Sequence, residues 1–426
     1  MNKNDNYILG LDIGSSKICA TIGKIDANLD LDFCGLGTCI TAGLKKGQVV
    51  DVLALKKAIE KAIMRAECIA GVMPTQVVTN VPLYGVEFIN TKEFVLSKNA
   101  DKKISLLDKK QALLQMKERL CSSEKAIMHL IPTLFLVDGK QVISLEEAEG
   151  EGLEVQAAVV LADVENIVKI TQILNQLNLK VKGIVYDSLS QAEVLLSEEE
   201  KAEGCYLLDI GGQFSELSFF KNDFIQQAVI VPIGGETITS DIAYCLKVST
   251  PEAERLKMIY GDIDLLNIDQ EAMVEIMLKD NSKRKISQSL LCQIIEARIQ
   301  EMLKLILKQM DFSADLGCRK LVLGGGSSKL SGLKDYLIKK LGVKVRLGSS
   351  EQKNNMAESL GEAFSVGSIL YALKTGVIKY QDNQTKFSLD NLKKKVFRMR
   401  RFMMVNFLIW KKRLQQKELF FTPSSK

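Results

Sequence analysis

Leu9-Gly10-Leu11-Asp12-Ile13-Gly14-Ser15-Ser16-Lys17 joins an apolar strand, a carboxylate and a turn of small residues within nine positions, and the chain repeats the pattern once. The second copy is Leu207-Leu208-Asp209-Ile210-Gly211-Gly212-Gln213-Phe214-Ser215. An alternating strand follows each copy, Ile18 to Ile22 and Leu217 to Phe219, so either one alone reads equally well as a hairpin with a glycine turn. An aspartate at a strand end, followed by glycine and hydroxyl residues, also sets backbone N–H groups around a phosphate, while the carboxylate orients Mg²⁺ through water. Two such turns facing each other would clamp a nucleotide.

A third element supports the pair. Leu321-Val322-Leu323-Gly324-Gly325-Gly326-Ser327-Ser328-Lys329-Leu330 predicts a short strand running into glycines that let a nucleoside approach the backbone, and then a helix from Gly332 to Leu341. In this order and spacing the three stretches resemble the phosphate 1, phosphate 2 and adenosine motifs of the actin-like ATPase superfamily. Within it the chain is most similar to the FtsA family of bacterial cell-division proteins. The resemblance implies an α/β, actin-like two-domain fold with duplicated ribonuclease H-like cores, an inserted FtsA-type lobe and a C-terminal amphipathic helix. It also implies ATP and Mg²⁺ as ligands. Asp12 and Asp209 would reach the metal through water, with Gly14, Ser15, Ser16, Lys17, Gly211, Gly212, Gly234, Gly235, Gly324, Gly325, Gly326 and Ser327 around the nucleotide.

Composition narrows the alternatives. With 426 residues, 46% of them hydrophobic, the chain can bury substantial cores. Its nine cysteines are scattered without a C-x-x-C pair, which suggests neither a disulfide framework nor a zinc site and fits a reducing cytoplasm. The polar start, Met1 to Asn6, runs into a strand and predicts no signal peptide. A single histidine, His129, points to a structural role rather than a metal site or triad. The net charge of +5 conceals an asymmetry: residues 391–426 hold eleven Lys or Arg against one Glu, leaving the rest mildly acidic. No basic stripe for nucleic acid is expected on the body.

In chain order, three alternating runs, Tyr7–Ile13, Lys17–Ile25 and Leu31–Ile40, predict an antiparallel meander. Asp51 then caps a helix through Leu55, Ile59, Ala62, Ile63 and Ala66 that Gly71 closes. The resemblance places the first core domain at 1–84 and 162–203, with the inserted lobe at 85–161. His129-Leu-Ile-Pro132 and Gly150-Glu-Gly152-Leu153-Glu154-Val155 carry the likeness of that lobe, and MreB and chaperone ATPases differ there. The second core takes 204–240 and 301–354, with an outer lobe at 241–300. A closing helix over 355–376, a linker at 377–390 and a membrane-targeting helix at 391–417 complete the division.

Some site residues admit two readings. Asp187, where the family usually has Glu or Gln before Pro, would orient an attacking water or simply cap a helix. Glu254 and Lys257 sit one turn apart; in chaperone relatives such a pair holds ribose and adenine, whereas as bare charges they form a solvated i,i+3 pair. Arg298 resembles the FtsA helix that borders the lobe gripping the acidic FtsZ tail peptide, although an exposed arginine is usually just solvated. Residues 262–280 carry no clear signal.

The second turn departs from the family pattern Asp-x-Gly-Gly-Gly-Thr-Thr. Gln213 replaces the third glycine, where a positive φ would strain or reshape the loop, and Phe214 replaces a hydroxyl that could reach a γ-phosphate. Binding with weak or no hydrolysis is therefore expected. In the tail, Val396, Met399, Met403, Phe407, Trp410 and Leu414 form an apolar line flanked by Lys393–Lys395, Arg398, Arg400, Arg401 and Lys411–Arg413. Its apolar centre, Phe402 to Trp410, is too short for a bilayer, which needs about 20 residues, and suits a helix lying in an anionic membrane surface. A helix docked on the body, or a basic nucleic-acid tail, is the alternative.

The resemblance implies an ATP-binding scaffold that self-associates on the cytoplasmic side of the inner membrane at the division septum. There it would tether FtsZ filaments and recruit later division proteins. Rivals on the same fold are an MreB- or pilus-assembly-like scaffold and a sugar kinase, which leaves the basic tail without a purpose. A chaperone would need a substrate domain after the ATPase, and only about 50 residues remain there.

Overall fold

The computed structural model describes residues 6–378 except 27–29, 98–102, 143, 146–147, 266–267, 270, 311–316, 319 and 349–361. Two five-stranded sheets share one plan. In the first, the antiparallel meander Tyr7–Ile13, Lys17–Ile25 and Leu31–Ile40 is extended by the parallel strands Gln76–Thr79 and Lys180–Ile184. In the second, Cys205–Ile210, Ser215–Lys221 and Phe224–Val231 form the meander, and Lys320–Gly324 and Lys344–Leu347 extend it in parallel. The repeat seen in nine residues of sequence is thus a repeat of whole sheets. Each Asp-Gly turn closes the first hairpin of its sheet at the end where the parallel strands also stop.

Local chemistry accounts for the helices. Asp51 accepts the Ala54 N–H at 2.9 Å, the helix Val52–Ala70 buries Leu55, Ile59, Ala62, Ile63 and Ala66 on the first sheet, and Gly71 ends it at φ 67°. Removing Leu55, Ile59 and Ile63 from water stabilises the fold by roughly 1.5–3 kcal/mol each. The helix Ala363–Lys374 packs between the first sheet and the helix Asp187–Leu195. Ser365 on this helix shares a hydrogen bond with Thr21 at 2.7 Å. Its small face, Ala363, Ser365, Gly367 and Ser368, is what permits that close seat.

Between Gln76–Thr79 and the helix Val164–Gln176 lies a four-stranded sheet in the order Glu87–Leu96, Gly152–Asp163, Lys125–Val137, Lys140–Val142. The helix Leu106–Leu120, capped reciprocally by Ser105 and Asp108, covers it, and the segment has a buried cluster of its own around Met116, Leu153 and Val155. The stretch 262–280, without a clear sequence signal, contains the first strand of a hairpin, Met273–Met277 with Lys283–Ser287, turned at Asn281 with φ 64°. Met273 and Met277 point outward and blur the period-two pattern.

Candidate nucleotide-binding cleft

The two Asp-Gly turns face each other across a cleft of about 720 Å³ lined by Asp12, Gly14, Ser15, Ser16, Lys17, Asp187, Asp209, Gly211, Gly212, Gly235, Glu254, Lys257, Gly325, Gly326 and Ser327. Most of the residues singled out from sequence therefore converge on one place. Gly234 and Gly324 do not line it. Gly234 is the residue before the helix Gly235–Leu246 and packs behind the second turn, while Gly324 ends its strand against Gln191.

The floor is acidic. Asn80, which follows the strand Gln76–Thr79, accepts the Ile13 N–H at 2.8 Å and turns its Nδ2 toward Asp12 Oδ1 at 3.3 Å and Asp187 Oδ1 at 3.2 Å. Asp209 accepts from Gln191 Nε2 at 2.7 Å through Oδ2, whereas its Oδ1 is buried without a hydrogen-bond partner. Burial, and then the nearby charge of Asp209, pushes Asp12 up to about 7. Burial first, then the charges of Asp12 and Glu216, holds Asp187 well above the usual carboxylate range, and burial raises Asp209. Three carboxylates converging in one pocket favour a cation beside them.

Asp187 is not a helix cap. Tyr186 holds that position, and Asp187 is the first helical residue, aimed at the floor. The Tyr186 N–H is donated to His129 Nε2 at 3.0 Å, and burial lowers the His129 pKa to about 4, so the lone histidine is a neutral structural acceptor. Ser188 donates to Glu216, which stands opposite Asp209 in the second hairpin.

The glycine stretch lines the cleft beside Asp209. Gly325 sits at φ 77°, and a Cβ there would lie 2.0 Å from Asp209 Oδ1, so only glycine lets this backbone press onto the aspartate. Lys257 is no solvated charge: it is buried and bridges Glu254 at 2.8 Å, the Gly235 carbonyl at 3.0 Å and Thr239 Oγ1 at 2.9 Å.

Strain from Gln213 is absent. No residue of the second turn takes a positive φ, and the need for glycine there is one of space: a Cβ on Gly212 would stand 1.9 Å from Ser16 Oγ. Asn80, Gln191 and Glu236 were missed by sequence reasoning, because nothing local distinguishes an amide or carboxylate whose partner lies far along the chain.

Arg298 lies outside the cleft. It makes a bidentate bridge to Asp241, at 2.6 and 2.9 Å, and a second contact with Glu301. The apolar line at 396–414 lies outside the described residues.

Comparison with known proteins points to one family. The profile described as "Cell division protein FtsA" matches residues 206–367. Cell division protein FtsA of Pseudomonas aeruginosa is 26% identical over 415 residues, covering 95% of this chain and 99% of that relative. Its counterpart from Bacillus subtilis is 27% identical over 355 residues, 82% of this chain and 80% of that relative. Over nearly its whole length the chain is similar to the FtsA family.

Solved structures agree on the fold. The PilM-PilN type IV pilus biogenesis complex superposes with a TM-score of 0.64 at 20% identity, over 87% of this chain and 99% of that one. MreB 5 of Spiroplasma citri bound to AMPPNP gives 0.54 at 11% identity, over 88% and 99%. Similarity to FtsA and an actin-like α/β fold of duplicated sheets thus stand together.

Proposed function

We propose that this FtsA-like chain is a nucleotide-binding adaptor that assembles on the cytoplasmic face of the inner membrane at the septum, tethers FtsZ filaments there and recruits later division proteins. The observation that carries the reading is the cleft between the two Asp-Gly turns. Its residues suit a nucleotide with its cation: Asp209 Oδ1 is buried and unpartnered, Asp12 is raised to about 7, and Gly212 and Gly325 leave room that a Cβ would fill. Among the described residues no three carboxylate, His or Cys groups are arranged as direct metal ligands, which fits Mg²⁺ held through water by Asp12 and Asp209. A bound Mg²⁺ would offset phosphate charge. Gly325–Ser327, Glu254 and Lys257 would hold the nucleoside, and Ser15, Ser16, Lys17, Gly211 and Gly212 the phosphates.

Hydrolysis is slow in this reading. Burial and the neighbouring charges of Asp12 and Glu216 raise the Asp187 pKa, and Phe214 supplies no hydroxyl. Among the described residues no helix is long and apolar enough to cross a membrane, so attachment falls to the basic, apolar tail of the sequence. The domain division of the sequence analysis is proposed with it, including an outer lobe at 241–300 as the FtsZ-peptide surface.

Titration calorimetry with Mg·ADP and Mg·ATP tests the cleft. Saturable binding that Asp209→Asn weakens at least about tenfold is expected from loss of a buried charge beside the metal. Absence of binding to either nucleotide contradicts the reading.

A further inference from the structure

One end of the cleft is filled by the chain itself. Gln213 donates its side-chain amide to Glu236 Oε2 at 2.9 Å, accepts the Gly47 N–H on Oε1 at 3.0 Å, and sends its backbone N–H to Ser15 Oγ at 3.1 Å. Ser16 Oγ donates to Glu236 Oε1 at 2.7 Å. Phe214 seats against the same outer turn, where a Cβ on Gly47 would stand 2.7 Å from its ring. Both Glu236 oxygens and both ends of the Gln213 amide are therefore engaged, and their bonds tie the first turn, the second turn and the loop at Gly47 together.

A nucleotide laid with its base at Gly325–Ser327 and Lys257 runs its phosphates between the two turns, and the last phosphate arrives where this bridge stands. There a third phosphate meets donors already in use and a carboxylate. Of the cations lining the cleft, Lys257 and Lys329 flank the nucleoside end, and Lys17, which follows the first turn, is the one left for the phosphates. Placing more negative charge beside Glu236 without a new cation is unfavourable.

We propose that Gln213 and Glu236 stand in for the third phosphate, so that this cleft is selective for a nucleoside diphosphate: ADP enters with the bridge intact, and ATP enters only by breaking it. This deepens the nucleotide-binding reading and rests on it. Calorimetric titration of the full chain with Mg·ADP and with Mg·ATP, in the wild type, Gln213→Gly and Glu236→Gln, reads it directly. The wild type is expected to bind ADP about tenfold or more tighter than ATP, and Gln213→Gly to bring the two within about threefold of each other through tighter ATP binding. Glu236→Gln, which keeps the shape and removes the charge, should narrow the ratio as well.

A wild type that binds ATP as tightly as ADP, or a ratio unchanged in both variants, overturns the proposal while leaving the nucleotide cleft standing. Binding of neither nucleotide by the wild type removes both. If Gln213→Gly binds neither, the Glu236→Gln ratio alone decides.

Discussion

Asp12 shows the tension between stability and ligand binding in a single side chain. Its folded pKa of about 7 lies above the ordinary 3.8, so the folded state keeps the proton longer than the unfolded one. The stability it contributes is complete below about pH 4 and is lost as pH rises through 7. Asp12→Asn cannot titrate there. Thermal melts of ligand-free protein should show the variant gaining on the wild type from pH 4 to 7.5, by on the order of 2–4 kcal/mol, while it loses affinity for Mg·nucleotide. Parallel pH curves would mean that Asp12 is already neutralised by another group. Arg298 poses a different question, because Asp241 occupies its guanidinium. If Arg298 also receives the acidic FtsZ peptide, Asp241→Asn should free it and tighten peptide binding a few-fold at a partly exposed site. Unchanged or weaker affinity by fluorescence anisotropy would place the peptide elsewhere.

Among the elements, the helix Asp187–Leu195 links the two sheets through buried polar groups. His129 on the inserted sheet fixes its start at Tyr186, Ser188 reaches Glu216 on the second hairpin, and Gln191 holds Asp209. Burial has pushed Glu216 up to about 7, and Ser188 and Ser218 are hydroxyl partners on its Oε1. Ser188→Ala should lower stability by about 1–2 kcal/mol in urea unfolding, since a buried acceptor loses a donor. A loss under ~0.3 kcal/mol would show that Ser218 alone suffices. At this scale the sequence was most legible where the signal is local: the meander, the Asp51 cap, the Asp-Gly turns and the glycine stretch. It was least legible where partners are distant. Asn80 meets Asp187 across 107 positions and Gln213 meets Gly47 across 166, and no local pattern marks either pair. The second turn looked strained because a glycine was missing, yet its backbone keeps negative φ and its crowding comes from Ser16, a residue of the other turn.

For the whole molecule, the duplicated sheets supply the cleft and the inserted sheet and outer hairpin supply surfaces. Attachment to lipid rests on the sequence of the tail alone. Trp410 is the only tryptophan, so its emission reports that segment. Anionic vesicles should shift it to the blue, neutral ones less, and Phe407→Glu should abolish the shift by placing a charge on the apolar line. Emission that is already blue without lipid and indifferent to it would mean that the tail packs against protein. The adaptor role itself is tested most directly by sedimenting FtsZ filaments with anionic vesicles, this chain and Mg·nucleotide, omitting one component at a time. An adaptor brings FtsZ down with the vesicles only when the chain is present, and truncation before Leu392 abolishes this. FtsZ that stays in solution with the intact chain, or that reaches the vesicles equally well without it, would contradict a tether.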